Sequence, residues 1–124
     1  MTLDAIIANL EYMRRPREYL GQLELMVLLA VAYPDADAYG VQIAKSIEEA
    51  SGREVSLASV YVALERLERK GLISSTLGEP TPQRGGRART YFKPTASGLK
   101  EARVACSTLN RLSRGLAVPK GIFA

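Results

Sequence analysis

The sequence predicts a mainly α-helical fold with one small β-hairpin, and three observations predict it. Apolar residues recur at three- and four-residue spacing through several separate segments, which is the period of an amphipathic helix. Only two short runs, Leu72 to Leu77 and Arg89 to Lys93, read as strands. Between them Gly78, Pro80, Pro82, Gly85 and Gly86 rule out regular structure, so the two runs pair as a hairpin around a long loop.

Taken in order, Thr2 caps a short helix whose apolar stripe is Leu3, Ile6, Ile7, Leu10 and Met13. Pro16, within Arg14, Arg15 and Arg17, ends it in a basic linker. From Glu18 to Tyr33 helix formers continue almost without a polar face, which predicts a helix buried on most sides. Pro34 and Asp35 stop it, and Asp37 is placed to cap a second helix from Ala38 to about Ala50, with Tyr39, Ile43, Ile47 and Ala50 inward and Ser51-Gly52 as the stop. Ser56 caps a third helix, Leu57 to Lys70, closed by Gly71; Leu57, Val60, Leu64 and Leu67 form its inner stripe. Its outer face carries Ala58, Val62, Glu65, Arg66 and Arg69, with Ser59 on the flank. After the hairpin, in which either Tyr91 or Phe92 enters the core, Thr95 caps a last helix running to about Arg114. Leu99, Ala102, Cys106, Leu109, Leu112 and Leu116 trace one face of it.

This order is that of a winged helix-turn-helix extended by N-terminal and C-terminal helices. Three regions are expected. Residues 1–17 form the N-terminal amphipathic helix and basic linker, 18–94 the winged domain, and 95–124 a C-terminal dimerisation helix and tail. A chain of 124 residues has a small core, which favours burying an apolar terminal helix against a second copy. The dimer interface is expected on Leu99, Ala102, Cys106, Leu109, Leu112 and Leu116, joined by Ile6 and Leu10.

Charge placement points to a partner. The segment from Ser56 to Lys93 carries the whole net charge of +4, while the rest of the chain is balanced. Such a local excess is the footprint expected for a polyanion. A recognition helix must present small or polar side chains at its N-terminal end, because those residues approach base edges in the major groove. Ala58 and Ser59 meet that need, and Ser56 with the amides of the helix start can bond a phosphate. In the loop, Arg84, Arg87 and Arg89 flank the Gly85-Gly86 pair, where guanidinium groups can reach phosphate or a narrow minor groove. Tyr61 borders the outer face, with core packing and phosphate contact both open to it. For Tyr39 packing is favoured over phosphate contact.

Catalysis is disfavoured by the inventory. There is no histidine, so Cys106, the sole cysteine, has no imidazole partner. Glu48 and Glu49 project about 100° apart on a helix. Glu65 and Glu68 are better placed to pair with Arg69 or Lys70. No phosphate-cradling loop of the G-x-x-x-x-G-K-[ST] type occurs, and no cofactor or metal is expected. The longest apolar run, Leu25 to Ala32, has eight residues, against the roughly 20 a membrane span needs. With one cysteine and no signal-peptide pattern, the cytoplasm is the expected compartment.

The runs LGQLE at 20–24, DAYGVQIA at 37–44, VSLASVY at 55–61, ALERLERKGLI at 63–73 and GGRARTYF at 85–92 resemble the PadR family of transcriptional regulators. The resemblance covers roughly Leu20 to Gly98. It implies a homodimeric winged-helix repressor on double-stranded DNA whose last helix, often with N-terminal residues, forms the interface. It also implies DNA contacts at Tyr39, Ser56, Ser59, Tyr61, Arg66, Arg87 and Arg89. Together with the residue reading, the candidate DNA-binding set is Tyr39, Ser56, Ala58, Ser59, Tyr61, Val62, Arg66, Arg84, Gly85, Gly86, Arg87 and Arg89. Two departures stand out: Val62 occupies a position where the family often has proline, and Lys93-Pro94-Thr95-Ala96 replaces a leucine-threonine-proline turn. Some relatives take flat aromatic effectors at the dimer interface by stacking on a tryptophan, which this chain lacks; a small-molecule effector there needs another mode. The competing reading is a winged helix that binds an acidic protein, since the fold by itself does not fix the partner.

Overall fold

A helix with so little polar surface as the one after Leu20 has to be enclosed by its neighbours. In the computed structural model, which describes residues 20–33, 38–79 and 88–116, this helix is central. Helix α1 (Gln22–Ala32) packs against α2 (Gly40–Ser51), α3 (Leu57–Arg69), α4 (Ala96–Ser113) and a strand of the hairpin. Val27, Leu28 and Val31 are buried, and Leu29 keeps one edge open. The helix starts at Gln22, with Gly21 as its N-cap in extended geometry, and not at Glu18.

The start of α2 also differs from the sequence reading, for a tertiary reason. The Phe92 N–H donates to the Ala38 carbonyl at 2.8 Å. Ala38, itself buried, is thus tied to the hairpin, and α2 begins at Gly40 with Tyr39 at the N-cap and no side-chain cap. Asp37, the expected cap, lies outside the described residues. Ile43, Ala44 and Ile47 are buried, whereas Ala50, expected inward, is exposed in the last turn beyond the core.

In α3 the Ser59 N–H donates to Ser56 Oγ at 3.3 Å, as the capping pattern requires. The inner stripe is Val60, Ala63, Leu64 and Leu67. Leu57, expected in that stripe, is 41% exposed because it sits in the first turn, off the end of the core, and Ala63 fills the inner position instead. After a left-handed turn at Gly71, strand β1 (Ile73–Leu77) pairs antiparallel with β2 (Thr90–Pro94), Ile73 opposite Pro94 and Leu77 opposite Thr90. Of the adjacent pair, Phe92 enters the core with Ile73 and Tyr91 stays half-buried.

Thr95 joins three elements. Its Oγ1 accepts from the Gly98 N–H at 3.0 Å, capping α4, and donates to the Gly71 carbonyl at 2.7 Å. Gly98 sits so close to the Leu72 carbonyl that a Cβ on it would collide with that backbone oxygen. Thr95→Val, which keeps the shape and removes both bonds, is expected to cost about 1–2 kcal/mol, read from urea unfolding, while Thr95→Ser should recover most of it.

Candidate nucleic-acid interface

The register that buries Val60, Ala63, Leu64 and Leu67 turns the opposite side of α3 outward. Ser56, Ala58, Ser59, Val62 and Arg66 are all exposed. A groove runs along this face between α3 and the start of α1, with Gly21, Gln22 and Glu24 on one wall and Ala58, Val62 and Arg66 on the other. The helix passes through Val62 without interruption. Small side chains at its N-terminal end leave the backbone approachable, and the cations lie at the other end.

Those cations are paired within the chain. Arg69 meets Glu65 at 2.7 Å, as helical spacing predicts. Lys70 Nζ lies 2.8 Å from Glu24 Oε2, and Arg66 Nη1 lies 3.8 Å from Glu24 Oε1. No local signal in the sequence marks Glu24, since its partners are more than forty residues away. Only the packing of α1 on α3 brings them together.

At the base of the hairpin the Arg89 guanidinium stacks over the Tyr39 ring, its central carbon 3.9 Å from the ring centroid. Tyr91 meets the same ring edge-on, with centroids 6.0 Å apart and planes at 83°. The Gly78 N–H closes this end by donating to the Arg89 carbonyl at 2.7 Å. Arg89 is therefore half-buried and held against α2, where the sequence suggested a freely reaching side chain. Tyr39 packs, as favoured, although as the N-cap of α2 and not on its inner stripe. The Tyr61 ring lies over Gly40, where a Cβ would come within 2.5 Å of the ring and hydroxyl, yet the residue stays exposed. The hydroxyl end of the ring itself lies against buried Gly40. Arg84, Gly85, Gly86 and Arg87 lie outside the described residues.

A second exposed feature lies on α4. Ala102 is buried in the chain's own core, which removes it from the free stripe, and Leu99 is half-buried. Beyond them Leu109, Leu112 and Leu116 are 54%, 71% and 61% exposed, and Cys106 is exposed as well. Ile6 and Leu10 lie outside the described residues. Among the described residues no group of histidine, cysteine or carboxylate side chains is arranged to hold a metal, and no helix is long and apolar enough to cross a membrane.

The model of the PadR-like family of transcriptional regulators matches residues 28–104. The chain belongs to the PadR family. Solved structures agree. A PadR family transcription regulator from Clostridium difficile is 26% identical, with a TM-score of 0.64 over 76% of this chain and 93% of that one. A PadR family regulator from Eggerthella lenta is 27% identical, with a TM-score of 0.63 over 90% of this chain and 89% of the other. A PadR-like transcription factor from Bacteroides fragilis is 25% identical, with a TM-score of 0.65 over 86% and 93%. No curated protein matches the chain significantly. As a PadR regulator the protein is a transcription factor and not an enzyme, and its helices and two-stranded hairpin are the family's winged helix. The departure from the family turn at 93–96 is accommodated by Thr95, which caps α4 directly ahead of Ala96.

Proposed function

We propose that this PadR regulator acts in the cytoplasm as a homodimer that binds double-stranded DNA sequence-specifically and represses transcription from a pseudo-palindromic operator. The observation that carries the reading is the open face of α3, small at Ala58 and Ser59 and cationic at Arg66, beside a capped helix start at Ser56. A helix of this character fits a major groove, where Ser59 and Arg66 would meet base edges and Ser56 a phosphate. Tyr39, Tyr61 and Val62 border the contact. On the hairpin, Arg84, Gly85, Gly86, Arg87 and Arg89 would follow the backbone or enter the minor groove. The exposed leucines of α4 support pairing of two copies, which would set two recognition helices about one helical turn of DNA, or a multiple, apart.

Salt titration of binding to a random-sequence duplex tests the electrostatic half of this reading. Log affinity should fall linearly with log salt, and Arg89→Ala should flatten the slope by about one unit. Because Arg89 stacks on Tyr39, Arg89→Lys should keep most of the slope and lose part of the affinity. Absence of any duplex binding would favour the protein-binding reading of the winged helix.

A further inference from the structure

Every cation on the described recognition helix and its C-cap has a carboxylate within ion-pair distance, and two of the three share one. Arg69 is served by Glu65 from its own helix, with both side chains open to solvent. Arg66 and Lys70 both turn to Glu24, which comes from α1 and whose side chain is only 12% exposed. The two contacts are unequal. Lys70 is hydrogen-bonded to Glu24 Oε2 at 2.8 Å, while Arg66 stands 3.8 Å from the other oxygen and keeps 60% of its side chain exposed. Glu24 also forms a wall of the groove that runs beside Ala58 and Val62, so its charge lies on the face presented to DNA.

We propose that Glu24 is a specificity-determining positioning residue, holding Lys70 and restraining Arg66 so that the recognition helix gives little charge to DNA of arbitrary sequence. This rests on the DNA-binding reading above. Non-specific affinity comes almost entirely from cations meeting phosphates. A carboxylate that competes for two of those cations lowers that background. On a matching site, Arg66 gains hydrogen bonds to a base edge or a well-placed phosphate and leaves its long contact with Glu24. Lys70 keeps the carboxylate occupied meanwhile, so no charge in the groove is left unpaired. A fixed negative charge facing the groove further disfavours any docking that does not align Arg66.

The experiment is a salt titration of random-sequence duplex binding with the full-length protein and its Glu24→Gln variant, beside a duplex selected by the native protein. The variant should bind random duplex about three- to tenfold more tightly at low salt, with a slope steeper by about one unit. The preference for the selected duplex should shrink accordingly. Glu24→Asp, which keeps the charge, should stay near the native slope, and in an Arg66→Ala/Lys70→Ala background Glu24→Gln should leave the slope unchanged. A residue that merely supports the fold would shift the melting temperature without moving the slope. If Glu24→Gln does not fold, Arg66→Ala and Lys70→Ala serve. Through their shared carboxylate their losses should be less than additive, and full additivity overturns the proposal. An unchanged slope in a folded Glu24→Gln overturns the proposal while the DNA-binding reading stands; no duplex binding by the native protein removes both.

Discussion

Replacing Leu109 and Leu112 together by glutamate is expected to turn a dimer into a monomer and to lower affinity for the selected duplex by about a hundredfold or more. The physical reason lies in how α4 divides its length. Its first turns are consumed by the chain's own core through Gly98 and Ala102. The rest carries Leu109 and Leu112, three residues apart on one side and exposed, while Leu116, expected on the same stripe, lies past the helix end at Ser113 and is exposed in the turn that follows. Apolar side chains so arranged gain about 25 cal/mol for each Å² they bury, which favours a matching helix from a second copy. Two linked recognition helices convert the second half-site contact into an intramolecular step, so losing the dimer loses that gain in full. Sedimentation equilibrium reads the first effect and a duplex titration the second. A variant that still dimerises would place the interface elsewhere. A monomer that binds as tightly as the native protein would remove the two-fold operator from the account.

The second large effect is on stability, at Gly98. Helix propensity alone predicts that Gly98→Ala stabilises the protein by roughly 1 kcal/mol, because alanine is the better helix former. Geometry predicts the opposite sign. A Cβ at Gly98 meets the carbonyl of Leu72, a backbone oxygen that also accepts from the Thr95 N–H at 3.0 Å and cannot move aside alone. Overpacking of this kind costs about 1–3 kcal/mol and occasionally more. Gly98→Ala is therefore expected to destabilise by about 2 kcal/mol, and Gly98→Val by about 3 kcal/mol or more, a large part of a small domain's stability. Urea unfolding at one fixed protein concentration reads both, since pairing of two copies would make apparent stability depend on concentration. A stabilised Gly98→Ala would contradict this close approach of α4 to the Leu72 carbonyl.

Features governed by chemistry a few residues long were legible in the sequence. Ser56 and Thr95 each cap the helix that follows, and Gly52 and Gly71 end helices in left-handed geometry, because each needs only its immediate neighbours. The outward face of α3 was legible for the same reason, as the complement of a 3.6-residue stripe. What escaped the sequence depends on residues far apart in the chain. Ala38 looks like the first residue of a helix, but Phe92 claims its carbonyl. Leu57 has the spacing of a core residue, yet at the very start of α3 it stays 41% exposed. Arg89 reads as a free cation until Tyr39 is brought beneath it. Glu24, in a nearly apolar helix, gave no sign of facing Arg66 and Lys70. The differences at Ala38, Arg89 and Glu24 are contacts between elements, and those at Arg89 and Glu24 lie on the face proposed to meet DNA.

That face is tested most directly by selecting bound duplexes from a random pool with the native protein and, in parallel, with the Ser59→Ala and Arg66→Ala variants. An enriched pseudo-palindrome is expected, with half-sites about one helical turn or a multiple apart and with preferences relaxed at particular positions in each variant. Duplexes bound without any enriched sequence, or identical preferences in all three proteins, would contradict it.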